Sequence, residues 1–168
     1  MAYTAGFLNP EKPMFQRTCV SLLPLLAIVL GLAADRAYGQ EPVAVEYSNA
    51  GSPLEGDFPF SAAVRVGDLL ILSGQIGNLP GTTTLAPGGI KAEARQVLEN
   101  IKGILEANGS SMDRVVKCTV MIADIDEWGA FNEVYVTYFP GPKPARSAFE
   151  SSGLAFDARV ELECWAAN

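Results

Sequence analysis

The chain has 168 residues, 12 basic and 19 acidic, with a formal charge of -7, and 49% of its residues are hydrophobic against 18% charged. That length holds one ordinary core, the composition excludes disordered and collagen-like classes, and an acidic surface repels phosphate backbones, which argues against nucleic acid as a partner. The chain has no histidine, so Ser-His-Asp and Cys-His nucleophilic sites are excluded and the commonest nitrogen ligand for transition metals is missing.

Residues 20–34 read VSLLPLLAIVLGLAA, an uncharged apolar run preceded by Lys12 and Arg17 and followed by Ala37-Tyr38-Gly39. A charged start, a short apolar run and small residues form the order of a secretory signal peptide. Residues 1–39 are therefore expected to be a signal peptide cleaved near Gly39, making the protein exported, periplasmic or secreted. An uncleaved anchor is the alternative, although the run is short for a bilayer span and Pro24 interrupts it. Met14 offers a second start. Cys19 belongs to this segment and sits too early in the apolar run to carry a lipid.

From Gln40 to Asp57 the chain is polar and small, with Pro42, Gly51, Pro53 and Gly56 as breakers, and is expected to be a lead-in containing at most one short strand, Val43–Tyr47. The domain proper is placed at residues 58–168. Ser61–Val66 and Leu69–Gln75 are apolar runs separated by Gly67-Asp68, whose leading glycine suits a type II′ hairpin. Residues 77–89 hold Gly, Pro and three threonines and predict a loop. Ile90, Ala94, Val97, Leu98, Ile101, Ile104 and Leu105 recur at helical spacing before Gly109, a natural C-terminal stop. A strand over Val115–Ala123 follows, then a helix capped by Asp126 and carrying Trp128, Phe131, Val134, Tyr135 and Tyr138, aromatics read as core. Pro140, Pro142 and Pro144 end it, and two strands near Arg146–Glu150 and Ala158–Ala166 close the chain. The order ββ-α-β-α-ββ predicts an α+β fold with two helices packed on one face of one mixed sheet.

Alternation along the last strand puts Val160, Leu162 and Cys164 on one face and Arg159, Glu161, Glu163 and Trp165 on the other. Two carboxylates on one face can do proton chemistry or simply be solvated. Arg146, in PARSAFESSG, offers a planar fork that grips a carboxylate bidentately. Cys118, Cys164 and Cys19 form no CxxC pair, so a zinc ribbon or thioredoxin-type site does not fit. Cys118 and Cys164 read as small buried hydrophobes, with a disulfide between them open.

SGQIG at 73–77, EARQVLENIKGILEANGSS, VVKCTVMIAD, NEVYVTYFPG, PARSAFE and VELECWA occur here in one order, with Glu161 fifteen positions after Arg146. In these blocks the chain resembles the Rid family, the reactive intermediate deaminases also called YjgF-type proteins, from about Phe58 to the C-terminus. The resemblance implies a chorismate-mutase-like fold assembled as a homotrimer with a small-molecule cleft at each interface. It implies hydrolysis of reactive enamines or imines to a 2-oxo acid and ammonia, with Arg146 holding the substrate carboxylate, Glu161 activating water, and Phe60, Ser73, Gly74 and Asn132 bordering the cleft. Two positions depart from the family: Phe60 stands where tyrosine is frequent and Ala148 where cysteine is frequent. An imine is already electrophilic, so positioning and one proton-transfer group suffice without histidine, metal or cofactor. Two rival functions are a non-catalytic module that binds small carboxylates, with Glu161 merely pairing Arg146, and a ribonuclease. The acidic charge and the lack of a basic aromatic stripe oppose the latter.

Overall fold

The computed structural model describes residues 42–167, and its first strand arises inside the stretch expected to be a lead-in. β1 (Val45–Ser48) pairs antiparallel with β2 (Ala63–Val66), from Val45 opposite Val66 to Ser48 opposite Ala63. Its side chains are largely exposed, which is why the segment looks too polar for a core, yet its backbone groups find their partners in the ladder. The sheet-bearing body thus runs from Val43, ahead of residue 58. The expected signal segment, residues 1–39, lies outside the described residues.

β2 turns into β3 (Leu69–Leu72) through Gly67-Asp68, with Val66 opposite Leu69. Gly67 has φ 57° while Asp68 does not turn positive, as a type II′ hairpin requires. The run expected to continue to Gln75 breaks at Ser73-Gly74 and resumes as β4 (Gln75–Ile76). After the loop, α1 spans Ile90–Ala107 and ends in a Schellman motif: Ser110 N–H donates to Leu105 C=O, Gly109 N–H donates to Glu106 C=O, and Gly109 takes φ 75°. β5 (Val115–Ile122) follows. The cap ahead of the next helix is Asp124 rather than Asp126: its carboxylate accepts from Asp126 N–H at 2.9 Å and opens a 3-10 turn that leads into α2 (Trp128–Tyr138). β6 (Ala145–Glu150) and β7 (Val160–Ala167) complete the sheet.

The sheet order is β1-β2-β3-β7-β5-β6, with β4 also pairing β7. β5 runs parallel to β6 and antiparallel to β7, so the sheet is mixed as expected. The apolar stripe of α1, Val97, Leu98, Ile101, Ile104 and Leu105, is fully buried against Leu70, Leu72, Val120 and Leu162. Each such side chain contributes about 1.5–3 kcal/mol by leaving water. Cys118 and Cys164 face each other across β5 and β7, with Cα atoms 4.2 Å apart, and are joined as a disulfide inside this core. Among the described residues, nothing packs over the opposite face of the sheet. It shows Tyr47, Phe149 and Trp165 to solvent, 74%, 49% and 38% exposed.

Candidate active site

Strand parity decides which predicted residues can meet. Glu161 lies opposite Met121, and Met121 opposite Phe149, so these three share the uncovered face. Arg146 lies opposite Cys118, three positions before Met121, and therefore belongs to the helix-covered face. Within one chain, Arg146 and Glu161 are on opposite sides of the sheet. Glu161 does not pair Arg146, and the predicted site is present as two separate halves.

The first half is a cleft of about 420 Å³ that gathers Phe60, Ser73, Gly74 and Glu161, four of the six expected site residues, together with Leu54, Phe58, Ile76, Ala155 and Phe156. The interruption between β3 and β4 makes it. Ser73 Oγ donates to Ser61 C=O at 2.7 Å, and the buried Gln75 side-chain amide donates to the carbonyls of Ser73 and Gly74 at 3.2 and 3.1 Å, fixing the bend. Gly74 leaves room for Glu161 in this position: a Cβ would run into its carboxylate, which lies directly over the glycine. Glu161 is partly buried and burial pushes its pKa above the ordinary glutamate value, with the neighbouring negative charge of Glu163 adding to the rise. Glu163 differs, since it accepts a hydrogen bond from Thr119 Oγ1 at 3.3 Å. A half-buried carboxylate held above its ordinary pKa is better suited to taking and returning a proton than an exposed one. Arg159, expected beside the two glutamates, precedes β7 instead and pairs with Glu127 at 2.6 Å while lying 3.9 Å from Glu93.

The second half is built on α2. Trp128, Asn132 and Tyr135 recur at i, i+4 and i+7, which places them on one face. The Arg146 guanidinium stacks with its carbon 4.6 Å from the ring centres of both Trp128 and Tyr135, and its Nη1 donates to Asn132 Oδ1 at 2.8 Å. It forms no ion pair among the described residues. A guanidinium held over two rings and tethered at one corner keeps its remaining N–H groups pre-aimed for a planar anion. Tyr135 is buried, which raises its hydroxyl pKa, an effect the Arg146 charge partly reverses. Ala148, two residues along β6, packs against the core on the same face. The aromatics read as core are core, with Phe131 and Tyr135 buried in it and Trp128 packed against it, and Trp128 and Tyr135 in addition lie under Arg146. The spacing of Trp128, Asn132 and Tyr135 was the available signal, but their partner was invisible without the β5–β6 register.

A family model described as endoribonuclease L-PSP matches residues 52–168. The chain is 45% identical over 105 residues to a 2-iminobutanoate/2-iminopropanoate deaminase of Mus musculus, covering 62% of this chain and 78% of that protein. It is 39% identical over 106 residues to the chloroplastic Reactive Intermediate Deaminase A of Arabidopsis thaliana, 63% of this chain and 57% of that protein. Among solved structures, E. coli TdcF with bound serine superposes with a TM-score of 0.64 at 30% identity, over 77% of this chain and 99% of that one. These findings correct the expectation of a secreted or periplasmic protein read from a signal peptide. A relative of the same domain is named as chloroplastic, and the family match begins at residue 52, so the similarity lends residues 1–39 no secretory role. A charged start with an apolar run marks targeting segments of more than one kind and by itself names no compartment.

Proposed function

Because this chain belongs to the endoribonuclease L-PSP family, which includes the Rid proteins, we propose that it is a reactive-intermediate deaminase whose working site is completed by a second copy of the chain. The reaction is the hydrolysis of a 2-imino acid. Water adds to the C2=N carbon, the resulting carbinolamine loses ammonia, and a 2-oxo acid remains. The same hydrolysis serves a 2-enamino acid once a proton adds at C3 to give the imine. The observation that carries this reading is the division of the site: a pre-aimed guanidinium without a carboxylate partner on one face, and a proton-transfer carboxylate in a cleft on the other.

Arg146 binds the substrate carboxylate through the N–H groups that Asn132 leaves free. Glu161 accepts a proton from the attacking water and returns it to the departing nitrogen. Holding the imine carbon and the water together supplies most of the remaining acceleration. A contact that sets the Arg146 half of one copy against the Glu161 half of the next is heterologous, and closed rotation makes it a ring. Three copies satisfy this, the sheet faces with Tyr47, Phe149 and Trp165 turning inward, where burial of such exposed aromatics is strongly favourable.

The test follows 2-oxo acid release from 2-iminopropanoate generated in place, alongside the mass in solution. Arg146→Ala and Glu161→Gln each lower turnover while the assembly persists, and mixing the two variants restores part of it, because a hybrid interface carries one intact Arg146 and one intact Glu161. No recovery on mixing, with both variants assembled, overturns the shared site. Carboxylate binding without any imine turnover in the wild type favours the non-catalytic binding module instead.

A further inference from the structure

The floor of the Glu161 cleft is far more apolar than a substrate as small as 2-iminopropanoate needs. Beyond Glu161, its walls are mostly the side chains of Leu54, Phe58, Phe60, Ile76 and Phe156. Ser73, its hydroxyl, is already committed to Ser61. Phe58 and Phe60 stand with ring centres 5.5 Å apart, and Phe60 is 48% exposed.

Phe156 is the most unusual of these residues. It and Asp157 take φ 57° and 59°, the only non-glycine residues with positive φ among the described residues. The left-handed region is unfavourable for a side chain with a Cβ, and a bulky residue held there points to a demand from the site rather than from packing. Packing within the single chain is not the reason, since Phe156 is 55% exposed there and contributes nothing to its buried core. The chain therefore holds a large apolar ring in strained backbone, open to solvent, at the rim of the cleft that contains the proton-transfer carboxylate.

We propose that Phe156 selects the substrate: with Phe58 and Phe60 it forms an aromatic wall that receives the side chain of 2-imino acids bearing an aryl or large branched alkyl group. This rests on the deaminase reading of the same cleft. The imine carbon lies at Glu161, the carboxylate extends to Arg146 of the neighbouring copy, and the side chain points toward Phe156. Rings of this kind prefer offset or edge-to-face contact with another aromatic group, and an apolar pocket discriminates by roughly 10-fold or more for each such group gained or lost.

The experiment measures binding of phenylpyruvate and of pyruvate, the product acids, by calorimetry, beside hydrolysis of the imines that an amino-acid oxidase forms from phenylalanine and from alanine. Wild type, Phe156→Ala and Phe156→Gly are compared. The wild type is expected to bind phenylpyruvate at least ~10-fold more tightly than pyruvate. Both variants are expected to lose most of that ratio, the phenylpyruvate affinity and the rate on the phenylalanine-derived imine falling by at least ~10-fold more than the pyruvate affinity and the rate on the alanine-derived imine, because apolar contacts beyond C3 are the ones removed. Phe156→Gly should melt no lower than the wild type, since glycine adopts positive φ freely. Equal affinity for the two acids in the wild type, or an unchanged ratio in both variants, overturns the assignment, as does a drop in solution mass or in melting temperature of Phe156→Gly. Absence of imine turnover in the wild type counts against the deaminase reading alone, because the binding ratio still decides whether Phe156 selects the ligand.

Discussion

Gly74→Ala places one methyl group where the geometry leaves no room for it. The new Cβ would overlap the Glu161 carboxylate and crowd its Cγ and Cδ, and these three nearest atoms belong to one flexible side chain. The backbone at residue 74 is not in the left-handed region, so alanine is tolerated there without torsional strain. Glu161 therefore swings toward solvent, and stability changes by less than about 1 kcal/mol. Turnover does not escape so lightly. A displacement of about 1 Å of a catalytic group lowers the rate by about 10², equivalent to about 2.7 kcal/mol in transition-state stabilisation. The proper measurement is a double-mutant cycle on imine hydrolysis with thermal melts in parallel. Gly74→Ala should lose about 10² in kcat, and in a Glu161→Gln background the same substitution should lose much less, since the displaced group no longer acts. Full activity of Gly74→Ala, or losses that simply multiply, would show that Glu161 does not work from the position above Gly74.

Arg146→Lys is expected to fail nearly as badly as Arg146→Ala, because an ammonium reproduces neither the stack on Trp128 and Tyr135 nor the fork that Asn132 tethers; the ratio of the two rates checks it. Asn132→Ala should raise KM for the imino acid by about 10-fold while leaving the fold intact, since it frees the guanidinium to rotate without removing its charge. The pH profile follows from the sign of the Glu161 shift. Its folded pKa is raised, so the ionised form needed as base disappears as pH falls through a midpoint above that of an ordinary glutamate, and kcat should decline there. The same shift means the charged form is disfavoured in the folded state, so Glu161→Gln should melt higher than wild type at neutral pH and equally at pH values below the unfolded glutamate pKa. Replacing both Cys118 and Cys164 by alanine opens a loop whose ends are 46 residues apart, which lowers stability by about 4 kcal/mol and is read from chemical denaturation.

Those features that depend on a short stretch of chain were legible in the sequence. Apolar recurrence at 3.6 residues marked α1 to within a residue, and Gly67 and Gly109 marked the hairpin and the helix stop because their backbone angles are ones few other residues adopt. Alternation put Glu161 and Glu163 on one face, and the lack of histidine confined any chemistry to carboxylate, guanidinium, amine, hydroxyl and backbone groups. Register between strands was beyond its reach, because pairing Cys118 with both Arg146 and Cys164 joins segments separated by up to 46 residues, and no local periodicity encodes that. Tertiary structure alone therefore decided that Arg146 and Glu161 face opposite ways, that Trp128 and Tyr135 serve Arg146 as well as the core, and that Gly74 lies beneath a carboxylate. The physical reason is common to all three: periodicity fixes the direction of a side chain relative to its own element, whereas a site is made by what several elements place opposite one another.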